Sequence, residues 1–298
     1  MAETAKKTIL VTGGAGFIGS NLIERLVRDP ANRVVSLDNY FTGSRENHIA
    51  GAEYIEGHTK DIAKLINFVP DLVFHLGEYS RVAQSMNEPD VVWDLNMNGT
   101  CAVLEFWRTH KFKFVYAGSS TKFSLPRVDG VEGKDLSPYT WIKSANTDLV
   151  KNYGTWYGLP YAIVYFYNVF GPRELEGAYG TVIEIFKQKY LHNEPLPVRS
   201  PGTQKRSYTH VDDTVDALIL VAGKGEGDSY GISSAKEYSI MEVAQMFKTE
   251  IEMLPARSTS RPSSAVDTTR MSELGWEATR TLEDYINDFI KKNPRTAQ

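Results

Sequence analysis

Cysteine is nearly absent from this sequence, since the 298 residues include only Cys101. A single cysteine excludes an intramolecular disulfide and any metal site built from several thiolates. The histidines and carboxylates also lack the spacing that metal ligands show. We therefore expect a protein that binds no metal and that works in a reducing compartment.

Long hydrophobic runs and an excess of positive charge are also missing. The longest apolar stretch, 162–170, is interrupted by polar side chains and is far shorter than the roughly 20 residues that span a bilayer. The N-terminal MAETAKK leads directly into TILVTG without the apolar segment of a secretory signal. The formal net charge of −4 argues against a nucleic-acid partner. These features predict a cytoplasmic protein that binds neither membranes nor nucleic acids.

The sequence does contain an alternation of short apolar runs with amphipathic stretches. The apolar runs lie at 8–11, 33–37, 71–76, 113–120 and 161–170, and the amphipathic stretches at 21–27, 92–109 and 138–157. This rhythm is typical of βαβ units. Continuous apolar strands, including the whole run 161–170, suit a parallel sheet that is covered on both faces. We predict an α/β fold with a doubly wound parallel sheet of the Rossmann type.

A glycine-rich segment, TGGAGFIG, follows the first apolar run. It contains the pattern G-x-x-G-x-x-G from Gly13 and the tighter G-x-G-x-x-G from Gly14. Between a strand and a helix, such glycines let backbone N–H groups approach a pyrophosphate at the helix N-terminus, where side chains would block it. The residues predicted to contact a dinucleotide here are Gly13, Gly16, Phe17, Ile18 and Gly19.

Asp38 ends the next predicted strand, followed by Asn39. An acidic residue about 20 positions after the glycines can accept hydrogen bonds from both hydroxyls of an adenosine ribose. Its negative charge would also repel a 2′-phosphate. An ordinary tight turn capped by an aspartate is the alternative, but the strand, helix and acid in register favour a cofactor site. We predict that NAD, rather than NADP, is the cofactor.

The composition changes after Gly171, where proline and glycine are scattered among charged residues in GPRELEGAYG and NEPLPVRSPGTQKR. Such segments are typical of loops and short elements. We expect residues 1–170 to form the NAD-binding domain, with some later segments returning to it. Residues 171–298 would then form mainly a smaller, C-terminal substrate-binding lobe.

Tyr139 and Lys143 lie four residues apart, in a helix that Pro138 can begin, and so share one face. A free phenol is a poor base at neutral pH, but a neighbouring ammonium favours the phenolate. An isolated pair with this spacing more often lines a solvated helix face. This pair follows a predicted strand that ends in GSST at 118–121, at the sheet edge where ligands bind. We therefore predict that Lys143 assists Tyr139 as a base.

Taken together, TGGAGFIGSN, Asp38-Asn39, HLG at His75, AGSST, YTWIK, YNVFGPR and RSYTHVDD resemble the nucleotide-sugar epimerase/dehydratase family of extended short-chain dehydrogenases. The resemblance covers nearly the whole chain. It implies that the NAD site also includes Asn39, Asp61, Ile62, Leu76 and Lys143. In the family, Asp61 would lie near the adenine and Lys143 would touch the nicotinamide ribose.

The resemblance also implies a nucleotide-sugar substrate and a homodimer formed through the helices near Val92 and Tyr139. Ser119 or Ser120, together with Tyr139, would face the sugar. The remaining substrate-contacting residues implied are Ser80, Asn168, Arg206 and Arg261. The planar fork of arginine suits a diphosphate. Two alternatives stay open: Asn168 could satisfy a backbone group, and Arg261 could be a solvated loop residue.

The residues after the predicted strand end bear on the reaction. Family members begin by taking a proton from the sugar 4-hydroxyl and a hydride from C4, which gives a 4-keto sugar. Dehydratases carry an aspartic acid and a glutamate directly after the strand-end hydroxyl residue, and decarboxylases favour a glutamate there. Ser120 and Thr121 occupy these positions. The resemblance thus favours 4-epimerisation of a UDP-hexose or UDP-N-acetylhexosamine.

Several departures from the family pattern leave other reactions open. Lys122-Phe123-Ser124 replaces Val-Tyr-Gly, and Trp141 and Ile142 fill an interval where small residues are usual. Ser264 stands where a bulky aromatic is expected, which would leave room for a C2-substituted sugar. The alternatives are a 4,6-dehydratase, a decarboxylase, an epimerase at another carbon and a keto-sugar reductase. From another class, a non-catalytic NAD-sensing protein is the alternative.

Overall fold

The first half of the chain alternates strands and helices. The structure, a computed structural model, describes residues 6–120, 137–256 and 267–295. Its first elements are β1 (Lys7–Thr12), α1 (Phe17–Leu26), β2 (Asn32–Asp38), β3 (Ala52–Glu56), α2 (Ile62–Leu65), β4 (Leu72–His75), α3 (Pro89–Val92), α4 (Gly99–His110), β5 (Lys113–Ser119), α5 (Pro138–Tyr157) and β6 (Tyr161–Phe166). A π-helical segment, Trp93–Asn98, joins α3 to α4.

Shorter elements make up the second half. They are β7 (Val169–Phe170), α6 (Val182–Leu191), β8 (Leu196–Arg199), β9 (Lys205–Ser207), β10 (Thr209–His210), α7 (Val211–Lys224), β11 (Gly227–Ile232), β12 (Glu237–Ser239), α8 (Ile240–Met246), β13 (Ile251–Leu254), α9 (Thr269–Glu273) and α10 (Leu282–Lys292). Three two-stranded sheets pair β7 with β10, β8 with β13 and β9 with β12. Within the described ranges, no helix has the length and apolar character needed to cross a membrane.

Seven strands form the central sheet, in the order β11-β6-β5-β4-β1-β2-β3. Every neighbouring pair is parallel. The strand order reverses beside β1, which has β2 on one side and β4 on the other. In open α/β sheets, ligands bind outside the carboxyl ends of the strands at such a reversal. The predicted doubly wound, Rossmann-type α/β fold is confirmed.

Both faces of this sheet are buried, which explains the continuous apolar strands. In β1, Ile9 and Val11 belong to an apolar cluster that includes residues of α1 and α7. Leu10, between them, belongs to a second cluster that includes residues of α4 and α5. Successive side chains of a strand point to opposite faces, so one run of apolar residues fills both layers.

The apolar run 161–170, predicted as one buried strand, is interrupted in the structure. β6 ends at Phe166, and Asn168 has a φ of 35°. Asparagine enters the left-handed region more readily than most other residues. The chain therefore leaves the central sheet here, and Val169–Phe170 pair with β10 instead. This part of the strand prediction is wrong, because apolar periodicity does not register a reversal of φ.

Segments beyond residue 171 contribute to the central sheet and to its covering layer. β11 pairs with β6, and Val215 and Leu218 of α7 pack in the same cluster as Leu22 of α1. A separate apolar cluster draws on α6, α8 and α10, with Phe186, Val243 and Ile286 among its members. The division into lobes at residue 170 stays a prediction.

Candidate active site

A cavity of about 420 Å³ lies at the carboxyl ends of the central strands. Its walls come from the loops after β1, β2, β4 and β5, from α5, and from the segment after β6. Of the residues predicted from the sequence, the cavity lining brings together Gly13, Gly16, Phe17, Ile18, Gly19, Asp38, Asn39, Leu76, Ser80, Ser119, Ser120, Tyr139, Lys143 and Asn168.

Other predicted site residues are not part of this lining. The Asp61 carboxylate accepts a hydrogen bond from Lys64 Nζ at 2.8 Å, and Ile62 is fully buried in the apolar core. Arg206 donates from Nη1 to the Lys205 carbonyl at 2.8 Å. Arg261 lies outside the described residues, as do Thr121, Ser264 and the segment 122–124. The roles of these residues stay predictions.

The glycine turn is shaped by close backbone contacts. Gly13 has a φ of +73°, and a Cβ there would come within 2.8 Å of the Gly77 nitrogen. Gly14 instead packs against side chains of Ser36 and Ile23 and does not line the cavity. Of the two overlapping glycine patterns, the one that begins at Gly13 is therefore the one that faces the cavity.

The N-terminus of α1 points its backbone N–H groups towards the same space. Gly16 is the N-cap residue, with extended backbone and no side-chain cap, and the first turn carries no acidic residue. The positive end of the helix dipole is thus left for an anionic ligand. Phe17 and Ile18, in this first turn, line the cavity. The arrangement fits the pyrophosphate of a dinucleotide.

Asp38, the predicted ribose-binding residue, lines the same cavity. Its two carboxylate oxygens accept hydrogen bonds from Ala15 N at 2.9 Å and from Tyr40 N at 2.8 Å. The side chain is only 7% exposed. Burial raises the pKa of Asp38 above its ordinary value, although the two backbone donors oppose this. The carboxylate thus links the glycine turn to the end of β2, at the wall of the cavity.

We expect Asp38→Asn to weaken NAD binding by about tenfold to a hundredfold, because hydrogen bonds to a charged acceptor contribute more than neutral ones. Asparagine also has one acceptor oxygen, so one of the two backbone donors loses its partner. Binding of NADP should weaken less, since the repulsion of a 2′-phosphate disappears. Calorimetric titration with both nucleotides measures this.

Asp71→Asn is the matched control for Asp38→Asn. Asp71 precedes β4 at the opposite end of the sheet, where its side chain accepts a hydrogen bond from Thr8 N at 2.7 Å. The same chemical change there should leave the affinity for NAD unaltered. Equal loss of NAD affinity in both variants would contradict a ribose-binding role for Asp38.

Tyr139 and Lys143, the predicted catalytic pair, lie at the start of α5. Ser137 caps this helix by accepting a hydrogen bond from Thr140 N, and Thr140 Oγ1 accepts one from Ser137 N in return. Tyr139 is 9% exposed and Lys143 is 4% exposed, and both line the cavity together with Ser119 and Ser120. One tyrosine, one lysine and two serines therefore line the same cavity.

Lys143 Nζ makes three hydrogen bonds within the protein. It donates to Glu78 Oε2, to the Ala117 carbonyl and, at 3.1 Å, to the Tyr116 hydroxyl. An ammonium has three N–H donors, so a contact with a cofactor ribose would have to be shared with one of these acceptors. The sequence reasoning missed Glu78, for which the signal was a charged residue three positions after the buried strand that ends at His75.

Arg81 was also missed, although it lines the cavity. Its Nε donates to the Tyr179 carbonyl at 2.7 Å, and burial lowers its pKa from the ordinary value of arginine. Glu174, in the second half of the chain, is 8% exposed, and burial raises its pKa to about 7. The two residues approach from distant parts of the sequence, so no local pattern could have paired them.

Aromatic residues connect the two halves of the chain at the cavity. The Phe41 ring lies 5.9 Å from that of Tyr79 and 6.0 Å from that of Tyr179. The hydroxyls of both tyrosines donate to Glu88 Oε1, at 2.6 and 2.8 Å. The loop after β2, the loop after β4 and the segment before α6 are thereby held together.

Comparison with known proteins identifies the relatives of this chain. The sequence profile of the NAD dependent epimerase/dehydratase family matches residues 9–233. A UDP-glucose 4-epimerase of Mycolicibacterium smegmatis is 31% identical over 304 residues, covering 95% of this chain and 97% of the relative. A UDP-N-acetyl-alpha-D-glucosaminuronate decarboxylase of Bacillus cytotoxicus is 33% identical over 260 residues, covering 80% of this chain and 79% of the relative.

Solved structures show the same fold over the whole chain. A UDP-glucose 4-epimerase of Thermotoga maritima, crystallised with UDP-glucose, superimposes with a TM-score of 0.87 at 28% sequence identity. The alignment covers 97% of this chain and 100% of that protein. Relatives thus include enzymes that invert a sugar carbon and one that removes a carboxyl group.

Proposed function

The chain belongs to the NAD dependent epimerase/dehydratase family, and from this premise we propose that it inverts C4 of a nucleotide-activated sugar. It is an enzyme of this family, and NAD is its cofactor. The glycine turn, the uncapped N-terminus of α1 and the buried Asp38 fit the pyrophosphate and ribose of NAD. The substrate we propose is a UDP-hexose or a UDP-N-acetylhexosamine.

One observation supports the choice of epimerisation over dehydration. Among the described residues that line the cavity, the only carboxylates are Asp38 and Glu78. Asp38 is bonded to the glycine turn, and Glu78 is bonded to Lys143. Dehydration needs a group that expels the 6-hydroxyl and another that removes the C5 proton. At the reacting end, Ser119 and Ser120 offer hydroxyls instead, and these are enough for oxidation and reduction at C4.

In the proposed reaction, Tyr139 accepts the proton of the sugar 4-hydroxyl. When bound, NAD would supply the redox chemistry at C4. Ser119 or Ser120 donates a hydrogen bond to the same sugar oxygen and keeps it close to the phenol. The protein then has to leave the 4-keto sugar room to turn, so that its other face can be presented for reduction. Tyr139 gives the proton back.

The second half of the chain is proposed to hold the nucleotide diphosphate. Asn168 is exposed and lines the cavity, and its Nδ2 donates one hydrogen bond, to the Ser207 carbonyl at 2.9 Å. An amide nitrogen carries a second N–H, which could reach a phosphate. Asn168 thus combines the two roles that the sequence left open. Ser80, Arg206 and Arg261 stay proposed substrate contacts.

A nucleotide-uronate decarboxylase is the second candidate. The half-buried side chain of Arg81 lines the cavity, and a guanidinium recognises a carboxylate through paired hydrogen bonds. The similarity to a uronate decarboxylase points the same way. A sugar carboxylate at C6 would place its charge near this cation. After oxidation at C4 it would be a β-keto acid, which loses carbon dioxide readily.

Proton NMR of the protein incubated with NAD and a panel of nucleotide sugars tests the proposal. We expect inversion of the C4 coupling pattern with a UDP-hexose or a UDP-N-acetylhexosamine. If a nucleotide uronate is converted to a nucleotide pentose, and the signal pattern of the uronate C5 proton is lost, this result would support the decarboxylase instead. A 4-keto-6-deoxy product would overturn both. The same sugars on dTDP, GDP and CDP show whether uridine is required.

A further inference from the structure

A buried ion pair joins the loop after β4 to the catalytic helix. Glu78 Oε2 accepts a hydrogen bond from Lys143 Nζ, and the two side chains are only 4% and 5% exposed. Both residues line the cavity. Isolated charges are costly to bury, so a pair at this position requires a reason in the structure or in the chemistry.

Glu78 is fixed by donors from three other elements. Its Oε1 accepts hydrogen bonds from Thr100 Oγ1 of α4 at 2.8 Å, from Asn146 Nδ2 of α5 at 2.9 Å and from Tyr116 of β5 at 3.3 Å. The adjoining Tyr79 is also held, because its backbone N donates to Asn96 Oδ1 at 2.6 Å. The carboxylate therefore has a single position, which the surrounding core determines.

Lys143 takes its position from that carboxylate. Its other two acceptors, the Ala117 carbonyl and the Tyr116 hydroxyl, both belong to β5. Only Glu78 among the three carries charge. Burial has the largest single effect and would raise the pKa of Glu78, but the charges of Lys143 and His75 and the hydrogen bonds from Lys143 and Thr100 together lower this pKa below its ordinary value. Glu78 is thus an anion throughout the neutral range.

We propose that Glu78 is a positioning residue, whose carboxylate holds the ammonium of Lys143 in place and in its charged form on the face of α5 that carries Tyr139. The inference rests on the proposed role of Tyr139 as the base. Neutral amide or apolar residues at position 78 would leave the cation without a charged partner. Lys143 could then move towards the cavity or lose its proton.

Removing the negative charge of Glu78 should shift the pKa values of the neighbouring groups in a defined direction. A carboxylate favours the protonated forms of the groups around it, so its loss makes both an ammonium and a phenol release their protons at lower pH. Activity that needs a charged lysine and an ionised tyrosine follows a bell-shaped pH profile. We expect Glu78→Gln to move both limbs of this profile down by about one pH unit.

Other titratable groups near Glu78 and Lys143 do not change the direction of this shift in the pH profile. Burial lowers the pKa of His75 to about 4, so this imidazole stays neutral in the working range. Burial, together with Glu78, holds the pKa of Tyr116 well above its ordinary value. Arg81, which interacts electrostatically with Tyr139, carries a positive charge at every pH of interest. Of the described residues facing the pair, Glu78 is the one that supplies negative charge.

The test compares Glu78→Gln with Glu78→Asp and with Glu105→Gln in the NAD-bound protein. Glu105 is an exposed carboxylate of α4 that pairs with Arg108, so its variant makes the same change in net charge. We expect the pH profile to shift only in Glu78→Gln, whereas Glu78→Asp keeps the limbs in place because it keeps the charge. A lower rate with unmoved limbs in Glu78→Gln would show a structural role and overturn the proposal.

A second readout separates this inference from the proposed reaction. The near-ultraviolet absorbance of tyrosinate, taken as the difference between each protein and the same protein with Tyr139→Phe, follows ionisation of Tyr139 without any sugar. Its midpoint should fall by about one pH unit in Glu78→Gln. A shift without turnover of any nucleotide sugar would leave the inference standing and reject the reaction. An unmoved midpoint would reject the inference.

Thermal unfolding provides a test if Glu78→Gln folds poorly. Adding Lys143→Met to Glu78→Gln removes the buried ammonium that has lost its charged partner. The Tm of the double variant should therefore lie above that of Glu78→Gln alone. If the Tm of the double variant falls by the sum of the decreases in Glu78→Gln and Lys143→Met, the two residues do not act as a pair.

Discussion

Tyr139→Phe is expected to lower turnover by at least about a hundredfold, which is the usual contribution of a positioned proton acceptor. The phenylalanine ring fills the same space, where Tyr139 packs with Tyr79, Val92 and Ile142. The protein should therefore fold normally and bind NAD with an affinity within about threefold of the original. Single-turnover and steady-state rates, with NAD affinity measured in parallel, test this expectation.

Tyr153→Phe is the matched control for this variant. Tyr153 lies fourteen positions further along α5, and its hydroxyl donates to Glu105 at 2.7 Å. The same loss of one hydroxyl from the same helix should leave turnover unchanged. If Tyr139→Phe also retains full turnover, Tyr139 is not the base, and the proposed reaction at C4 has no proton acceptor.

The parts of the site that could be predicted from the sequence are those fixed by local backbone geometry. A strand, a glycine turn and a helix follow one another within 7–26, and Asp38 ends the next strand. Each of these features depends on neighbours in the chain, so a pattern of residue types predicts it. The spacing of Tyr139 and Lys143 on α5 belongs to the same class.

The features that sequence reasoning missed depend on contacts between distant residues. Glu78 and Lys143 are 65 positions apart, and Arg81 and Tyr179 are 98 apart. A charge becomes part of a site only when the fold brings its partner to it. The break at Asn168 was missed for a related reason, since an apolar run shows which side chains are buried but not where φ changes sign. The roles that the motif match gives to Asp61 and Arg206 stay predictions, since neither residue is part of the cavity lining.

Gly19→Ala is expected to abolish measurable NAD binding or to weaken it at least about a hundredfold, equivalent to ~2.7 kcal/mol. A Cβ at Gly19 would collide with the Gly13 carbonyl oxygen and would lie 2.8 Å from Gly14 Cα. Both contacts are with backbone, which cannot rotate away as a flexible side chain can. The turn must therefore open, and the backbone N–H groups that face the pyrophosphate lose their positions.

Gly223→Ala separates this effect from a general effect of adding a methyl group. A Cβ at Gly223 would meet nothing within 4 Å, and the residue lies in α7, where alanine is the better helix former. This control should bind NAD normally and unfold at the same or a higher temperature. Because a ligand that binds only the folded state raises the Tm, the rise in Tm caused by NAD should persist in Gly223→Ala and disappear in Gly19→Ala. An undiminished rise in Gly19→Ala would mean that the turn does not bind the pyrophosphate.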